Sequence, residues 1–254
     1  MINIPIPWTN DVAAYGRQYT VNRKDQFQTR PDGALAYAIP RQGQPISNLP
    51  ADGTIALKLN ESNILTKFLL LKHDYESSSR SLILRNDCYD ARGWNASDVS
   101  NYADCDADIW MNTDYYNTFG TNEKELIEPV EIVYTVGNGS TVQGKISRRF
   151  FWLSGTELGF SVSKMSVEGT AIPYFNDDNK RISTLNGVPI NYNTRSPQSG
   201  RTGVGWEVSR TGNYHDQWVS YSAGSRPATT LPHNTLVSLE PDADGCYTLI
   251  GGVS

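Results

Sequence analysis

The segment Thr66–Lys72, reading Thr-Lys-Phe-Leu-Leu-Leu-Lys, limits this chain more than any other. Its apolar residues run together instead of alternating with polar ones, which marks a strand buried on both faces. Ile55–Leu59 precedes it as a second strand, with Asn60–Asn63 as the turn between them, and Ser81–Arg85 follows as a third. Asp52-Gly53 is a turn signal just ahead. The compact part of the chain therefore opens near Asn48 as an antiparallel meander.

Helices are predicted next. Ser97 and Asp98 are side chains suited to capping a helix. Asp106–Phe119 is predicted helical, with Ile109, Tyr116 and Phe119 on one face. Glu123–Glu128 reads as a second helix, stopped by Pro129. Val130–Val136 then alternates as a strand, and Gly137-Asn138-Gly139 is a hairpin-like turn. Arg149–Leu153 reads as a buried strand, after which Ser154 caps a turn containing Glu157. From Ile190 onward short strands and loops are expected, at Ile190–Thr194, Val204–Ser209, Trp218–Ser222, Ala228–Leu231 and Cys246–Ile250. Strands, then helices, then strands make an α+β chain.

Residues 1–48 read differently, with few aliphatic runs and scattered Pro and Gly. Trp8, Tyr15, Tyr19, Phe27 and Tyr37 suit an extended arm that docks on a neighbour. The expected organisation is an anchoring arm at 1–48 and a compact domain at 49–254.

Composition narrows the partners. Hydrophobic residues make up 38% and charged residues 19%, but there are 14 Tyr and 6 Trp. Such a chain is folded and turn-rich rather than disordered. The net charge is −5 and no basic cluster exceeds two residues, so nucleic acid is not an expected partner. No apolar run approaches the roughly 20 residues of a membrane span, so membrane insertion is not expected. Met1–Pro5 lacks the basic and apolar regions of a secretory signal, so synthesis in a cytoplasm is expected.

Catalytic signatures are absent. There is no G-x-S-x-G, H-E-x-x-H, P-loop or G-x-G-x-x-G. Cys88, Cys105 and Cys246 are odd in number and without a C-x-x-C, so reduced cysteines are expected. His73, His215 and His233 lack metal-ligand spacing. Glu123, Glu125, Glu128 and Glu131 cluster, as do Asp104, Asp106 and Asp108. Glycosidase chemistry needs two carboxylates roughly 5–9 Å apart across a sugar cleft. A solvated helix face accounts for the glutamates, and acids at a helix N-terminus for the aspartates. Asp104-x-Asp106-x-Asp108 also lacks the glycine and glutamate of a calcium loop. No catalytic residue, metal or cofactor is expected, and calcium is not implied.

Binding residues stand out more clearly. Asn191–Ser222 is dense in Asn, Tyr, Ser, Asp, His and Trp. Tyr and Trp offer large rigid contact area, while Asn and Ser adapt their hydrogen bonds. The candidate ligand-binding residues are Trp206, Asn213, Tyr214, His215, Asp216, Trp218 and Tyr221.

A series of motifs carries a resemblance. In order they are Phe68–Leu71, Ser81–Asp87, Trp94–Ala103, Ile109–Asn112, Phe151–Glu157, Asp178–Ile182, Thr194-Arg195-Ser196-Pro197 and Gly224-Ser225-Arg226-Pro227-Ala228. Over about residues 49–232 the chain resembles an uncharacterised C-type-lectin-like domain family of phage tail and prophage proteins from gut Firmicutes. The resemblance implies a C-type-lectin-like fold with small mixed antiparallel sheets and two helices, and recognition through loops near the C-terminus. The calcium-dependent sugar triplets of animal C-type lectins and the paired cysteines of sulfatase-activating oxidases have no counterpart here.

Each proline of the two C-terminal motifs holds its neighbour extended. Arg195 and Arg226 are therefore expected to brace the strands carrying the loop 198–224, one of them pairing with Glu157. The expected function is a virion protein, of tail or surface, made in a bacterial host cytoplasm. Its loop would bind a bacterial surface receptor, protein or glycan. Its arm would hold other virion proteins in a homo-oligomer. A structural head-decoration or baseplate component and a cell-wall-degrading enzyme are the alternatives.

Overall fold

The structure, a computed structural model, describes residues 43–251 and the short strands at 27–29 and 35–37. The chain divides into two compact units, residues 1–43 and 44–254. In the first, β1 (Phe27–Thr29) and β2 (Leu35–Tyr37) pair antiparallel, with Phe27 opposite Tyr37. Trp8, Tyr15 and Tyr19 of the expected arm lie outside the described residues.

β3 (Gly43–Pro45) spans the boundary, and a 3-10 turn at Ile46–Asn48, whose Ile46 is buried, follows in the second unit. Then come β4 (Ala56–Glu61), β5 (Ile64–Lys72), β6 (Arg80–Arg85) and β7 (Asp90–Arg92). The helices α1 (Asp106–Trp110) and α2 (Thr121–Leu126) precede the ribbon β8 (Val130–Thr135) and β9 (Gln143–Arg148). A short α3 (Asp178–Arg181) leads to the small hairpin β10 (Thr184–Leu185) and β11 (Val188–Pro189). The remainder is β12 (Tyr192–Pro197), β13 (Val204–Val208), β14 (Tyr214–Trp218), β15 (Ala223–Ser225), β16 (Ala228–Pro232), β17 (Leu236–Ser238) and β18 (Cys246–Gly251). Small sheets with short helices make the protein α+β.

Two larger sheets organise the unit. One has the order β16-β6-β5-β4-β18-β17-β3, the other β14-β13-β12-β15-β7. β5 lies inside the first, where Phe68, Leu69, Leu70 and Leu71 are all buried. Both faces of that four-residue stretch are covered, as its unbroken apolar run requires. The expected strands of the opening meander are present as β4, β5 and β6, paired antiparallel. Cys88, Cys105 and Cys246 are free and buried; burial pushes the Cys105 thiol up to about 12.

Local differences from the sequence reading have physical causes. The helix expected over Asp106–Phe119 stops being α-helical at Trp110 and continues as a π-helical turn, Met111–Tyr115. The wider turn moves the buried face to Met111, Tyr115 and Phe119, leaving Ile109 51% exposed. Its first turn is capped by Cys105, whose sulfur accepts from the Asp108 N–H, and not by Ser97 or Asp98. Asp98 accepts instead from the Ser220 N–H. Asp108 and Asp104 are both held by Arg148, which ties β9 to α1. Phe150, Phe151 and Trp152 are fully buried, but only Phe151 forms a bridge, to Ala228. That segment fills the core with side chains rather than extending a ladder. The strand expected at Trp218–Ser222 is Tyr214–Trp218, because Tyr221 N–H turns back to the Trp218 carbonyl at 3.0 Å.

Candidate functional site

Much of the expected loop 198–224 is the antiparallel hairpin β13–β14, with Trp206 opposite Asp216 and Val208 opposite Tyr214. Alternation along each strand puts Trp206, Tyr214, Asp216 and Trp218 on one face. β13 is an inner strand, so Trp206 is only 6% exposed. It lies beneath the surface and supports Tyr214, which it meets edge-on at 5.8 Å. Phe160 meets the same tyrosine edge-on at 5.9 Å. Phe160 also lines a cleft of about 200 Å³ with Val162, Met165, Val167 and Ala171.

β14 is the edge strand, and its aromatic side chains reach solvent: Tyr214 is 48% exposed and Trp218 41%. Tyr221, in the turn that follows, is 57% exposed. Asp216 between them is held by Arg201 at 2.7 Å. The Arg201 guanidinium also lies over the Trp218 ring, 5.7 Å from its centroid, and donates to Gln198 Oε1. The exposed face is thus an alternation of rings and a neutralised ion pair, which offers donor, acceptor and apolar contact together.

His215 and Glu207 stand opposite each other on the other face. Glu207 is buried, and its carboxylate accepts from Asn191 Nδ2 at 3.4 Å. Loss of solvent pushes its carboxyl up to about 7, against a weaker lowering by the Asn191 contact. Asn213, the residue before β14, turns its side-chain oxygen to the Tyr214 N–H.

Under the hairpin lies the bracing network. Arg195 and Glu157 are each 0% exposed and meet at 2.6 Å. Arg195 also donates to the carbonyls of Val133 and Trp152. Glu157 accepts in turn from Tyr75 and from the Ser154 N–H, while Ser154 Oγ accepts from the Glu157 N–H. This reciprocal pair closes the turn as a capping box does. Thr194 bonds the Trp206 carbonyl at 2.7 Å and so links the braced strand to β13. Among the described residues Arg226 takes no carboxylate. Its guanidinium donates to the Arg85 carbonyl and to the Tyr192 hydroxyl.

Sequence reasoning missed Glu168, a second buried acid, which accepts from Ser196 Oγ and the Thr135 N–H. It sits in a stretch without strand or helix pattern, so no periodicity marked it. Phe160, Gln198 and Arg201 were missed for the same reason. Among the described residues no group of three or more His, Cys, Asp or Glu could hold a metal ion.

No curated protein and no solved structure matches the chain. Residues 67–233, which contain the hairpin, both arginine motifs and Glu157, match a family described as a domain of unknown function, DUF6273, and the chain belongs to that family.

Proposed function

We propose that this chain is a bacteriophage or prophage virion protein whose compact domain, of C-type-lectin-like fold, binds a host-surface receptor through the β13–β14 hairpin. The observation that carries the binding reading is the exposure of Tyr214, Trp218 and Tyr221 along one free edge, around the Arg201–Asp216 pair. Rigid aromatic area beside paired charges is the chemistry of protein and glycan recognition. The placement in a virion rests on the sequence resemblance over residues 49–232. In this reading the 1–48 arm attaches the domain to other virion proteins within a homo-oligomer, and the domain performs no catalytic step.

The test is binding of the purified chain to a panel of gut Firmicutes cells. Saturable binding to at least one strain is expected, falling at least about tenfold in the Trp218→Ala/Tyr221→Ala variant. Binding unchanged in that variant overturns the hairpin assignment. No binding to any strain, with the hairpin buried in an imaged particle, favours a purely structural virion component instead.

A further inference from the structure

An edge strand presents unpaired N–H and C=O groups that template another strand. β14 is such an edge. Two flanking bonds show which of its groups point outward. Ser209 N–H donates to the Asn213 carbonyl at 2.7 Å, and Val219 N–H donates to the Gly203 carbonyl at 2.9 Å. With Glu207 opposite His215 and Gly205 opposite Gln217, the hydrogen-bonded pairs fall at 213, 215, 217 and 219. The backbone groups of Tyr214, Asp216 and Trp218 therefore face away from the sheet.

Half of these six outward groups, including two of the three donors, are already satisfied. Asn213 Oδ1 accepts from the Tyr214 N–H at 2.8 Å. Gln217 Oε1 accepts from the Trp218 N–H at 2.9 Å. The Trp218 carbonyl accepts from the Tyr221 N–H at 3.0 Å. Among the described residues only the Asp216 N–H and the carbonyls of Tyr214 and Asp216 stay open. An incoming strand would find one donor where an unguarded edge of this length offers three.

We infer that Asn213 and Gln217 are edge guards that close β14 to strand addition by a second copy of this chain. A second copy is the occupant to be excluded, because its β14 is an identical edge and two such edges pair about a twofold axis. The guards act on the backbone and leave the side chains of Tyr214 and Trp218 free. Asn213, which the sequence offers as a ligand contact, thereby gains a role that needs no ligand. The inference is independent of the receptor reading, since it concerns only copies of the chain.

Amide hydrogen exchange and sedimentation on the full chain test it. In the wild type the Tyr214 and Trp218 amides should exchange at least about fivefold more slowly than the Asp216 amide. In Asn213→Ala/Gln217→Ala both should rise to the Asp216 rate, and self-association should tighten at least about tenfold relative to wild type. Asn213→Asp/Gln217→Glu keeps an acceptor oxygen at each position and should keep the slow exchange. Wild-type Tyr214 and Trp218 amides as fast as that of Asp216 overturn the inference, and this readout holds even if the alanine variant fails to fold. Unchanged self-association in a folded alanine variant overturns it as well.

Discussion

Arg195 Nη1 lies 2.6 Å from Glu157 Oε2, and neither side chain touches solvent. Burial alone would lower the arginine pKa. The charge of Glu157 and the nearby Tyr75 outweigh it and raise the pKa further, so the guanidinium stays charged. Nε also donates to the Val133 carbonyl in β8, and Nη1 to the Trp152 carbonyl in the core segment. One side chain thus holds the strand behind the hairpin to three other parts of the fold.

Removing one partner should be costly. Glu157→Gln leaves a buried charge without its counter-ion, and the loss should be about 3–5 kcal/mol in urea denaturation. Arg195→Lys should also destabilise, because one ammonium nitrogen cannot stand at both the Nε and the Nη1 positions from which the planar guanidinium reaches Val133, Trp152 and Glu157. An unchanged unfolding midpoint for Glu157→Gln contradicts this account.

The two tryptophans of the hairpin should separate cleanly. Trp206→Ala empties a buried site and should cost about 3–5 kcal/mol. Trp218→Ala removes a side chain 41% exposed and should change stability by less than about 1 kcal/mol. Thermal unfolding of both variants checks the contrast. Equal losses would place Trp218 in the core, against the structure.

Gly212 has φ +85° and lies so close to Asp178 that an added Cβ would stand 1.8 Å from its carbonyl oxygen. Gly212→Ala should therefore destabilise by more than about 2 kcal/mol, through both strain and collision. Gly187, with φ +79° and no atom within 4 Å of such a Cβ, should cost only about 1 kcal/mol. The comparison by denaturant titration isolates the collision from the backbone strain.

Glu207 should make stability depend on pH. Its folded carboxyl titrates at about 7 against an ordinary 4.5, so the folded state keeps a proton that the unfolded chain releases. The stability is complete below the unfolded value and falls as pH rises through the folded one. The loss has an upper bound of about 3 kcal/mol. Glu207→Gln should flatten this fall between pH 5 and pH 8, and melting temperatures across that range read it out. A parallel slope in wild type and variant would assign the titration to another group.

Elements whose cause is local were readable in the sequence. The unbroken apolar run of β5 announced burial on both faces, and Asp52-Gly53 and Gly137-Asn138-Gly139 announced turns. The Ser154–Glu157 turn was legible because a serine followed three residues later by a glutamate is a local capping pattern. Elements set by distant partners were not legible. The π turn in the Met111–Tyr115 segment and the irregular core segment 150–153 answer to packing elsewhere in the chain.

The candidate surface divides the same way. The density of Asn, Tyr and Trp in 191–222 marked the region, because side-chain type alone fixes what contacts a surface can make. Which of them face outward depends on strand register and on which strand is the edge. Trp206 and Trp218 are the same residue type in the same hairpin, yet one is beneath the surface and one upon it.

By itself, then, the sequence determined the α+β class, the buried meander strand and the region dense in Asn, Tyr and Trp, because periodicity and side-chain chemistry are local properties. Only the tertiary structure decided that Glu157 belongs to Arg195 and not to Arg226, that Glu168 joins the same buried network, and that β14 is an edge with guarded amides. Each of these depends on which segments far apart in the chain come to lie against one another, and buried polar groups take whatever partner that packing brings within hydrogen-bond reach.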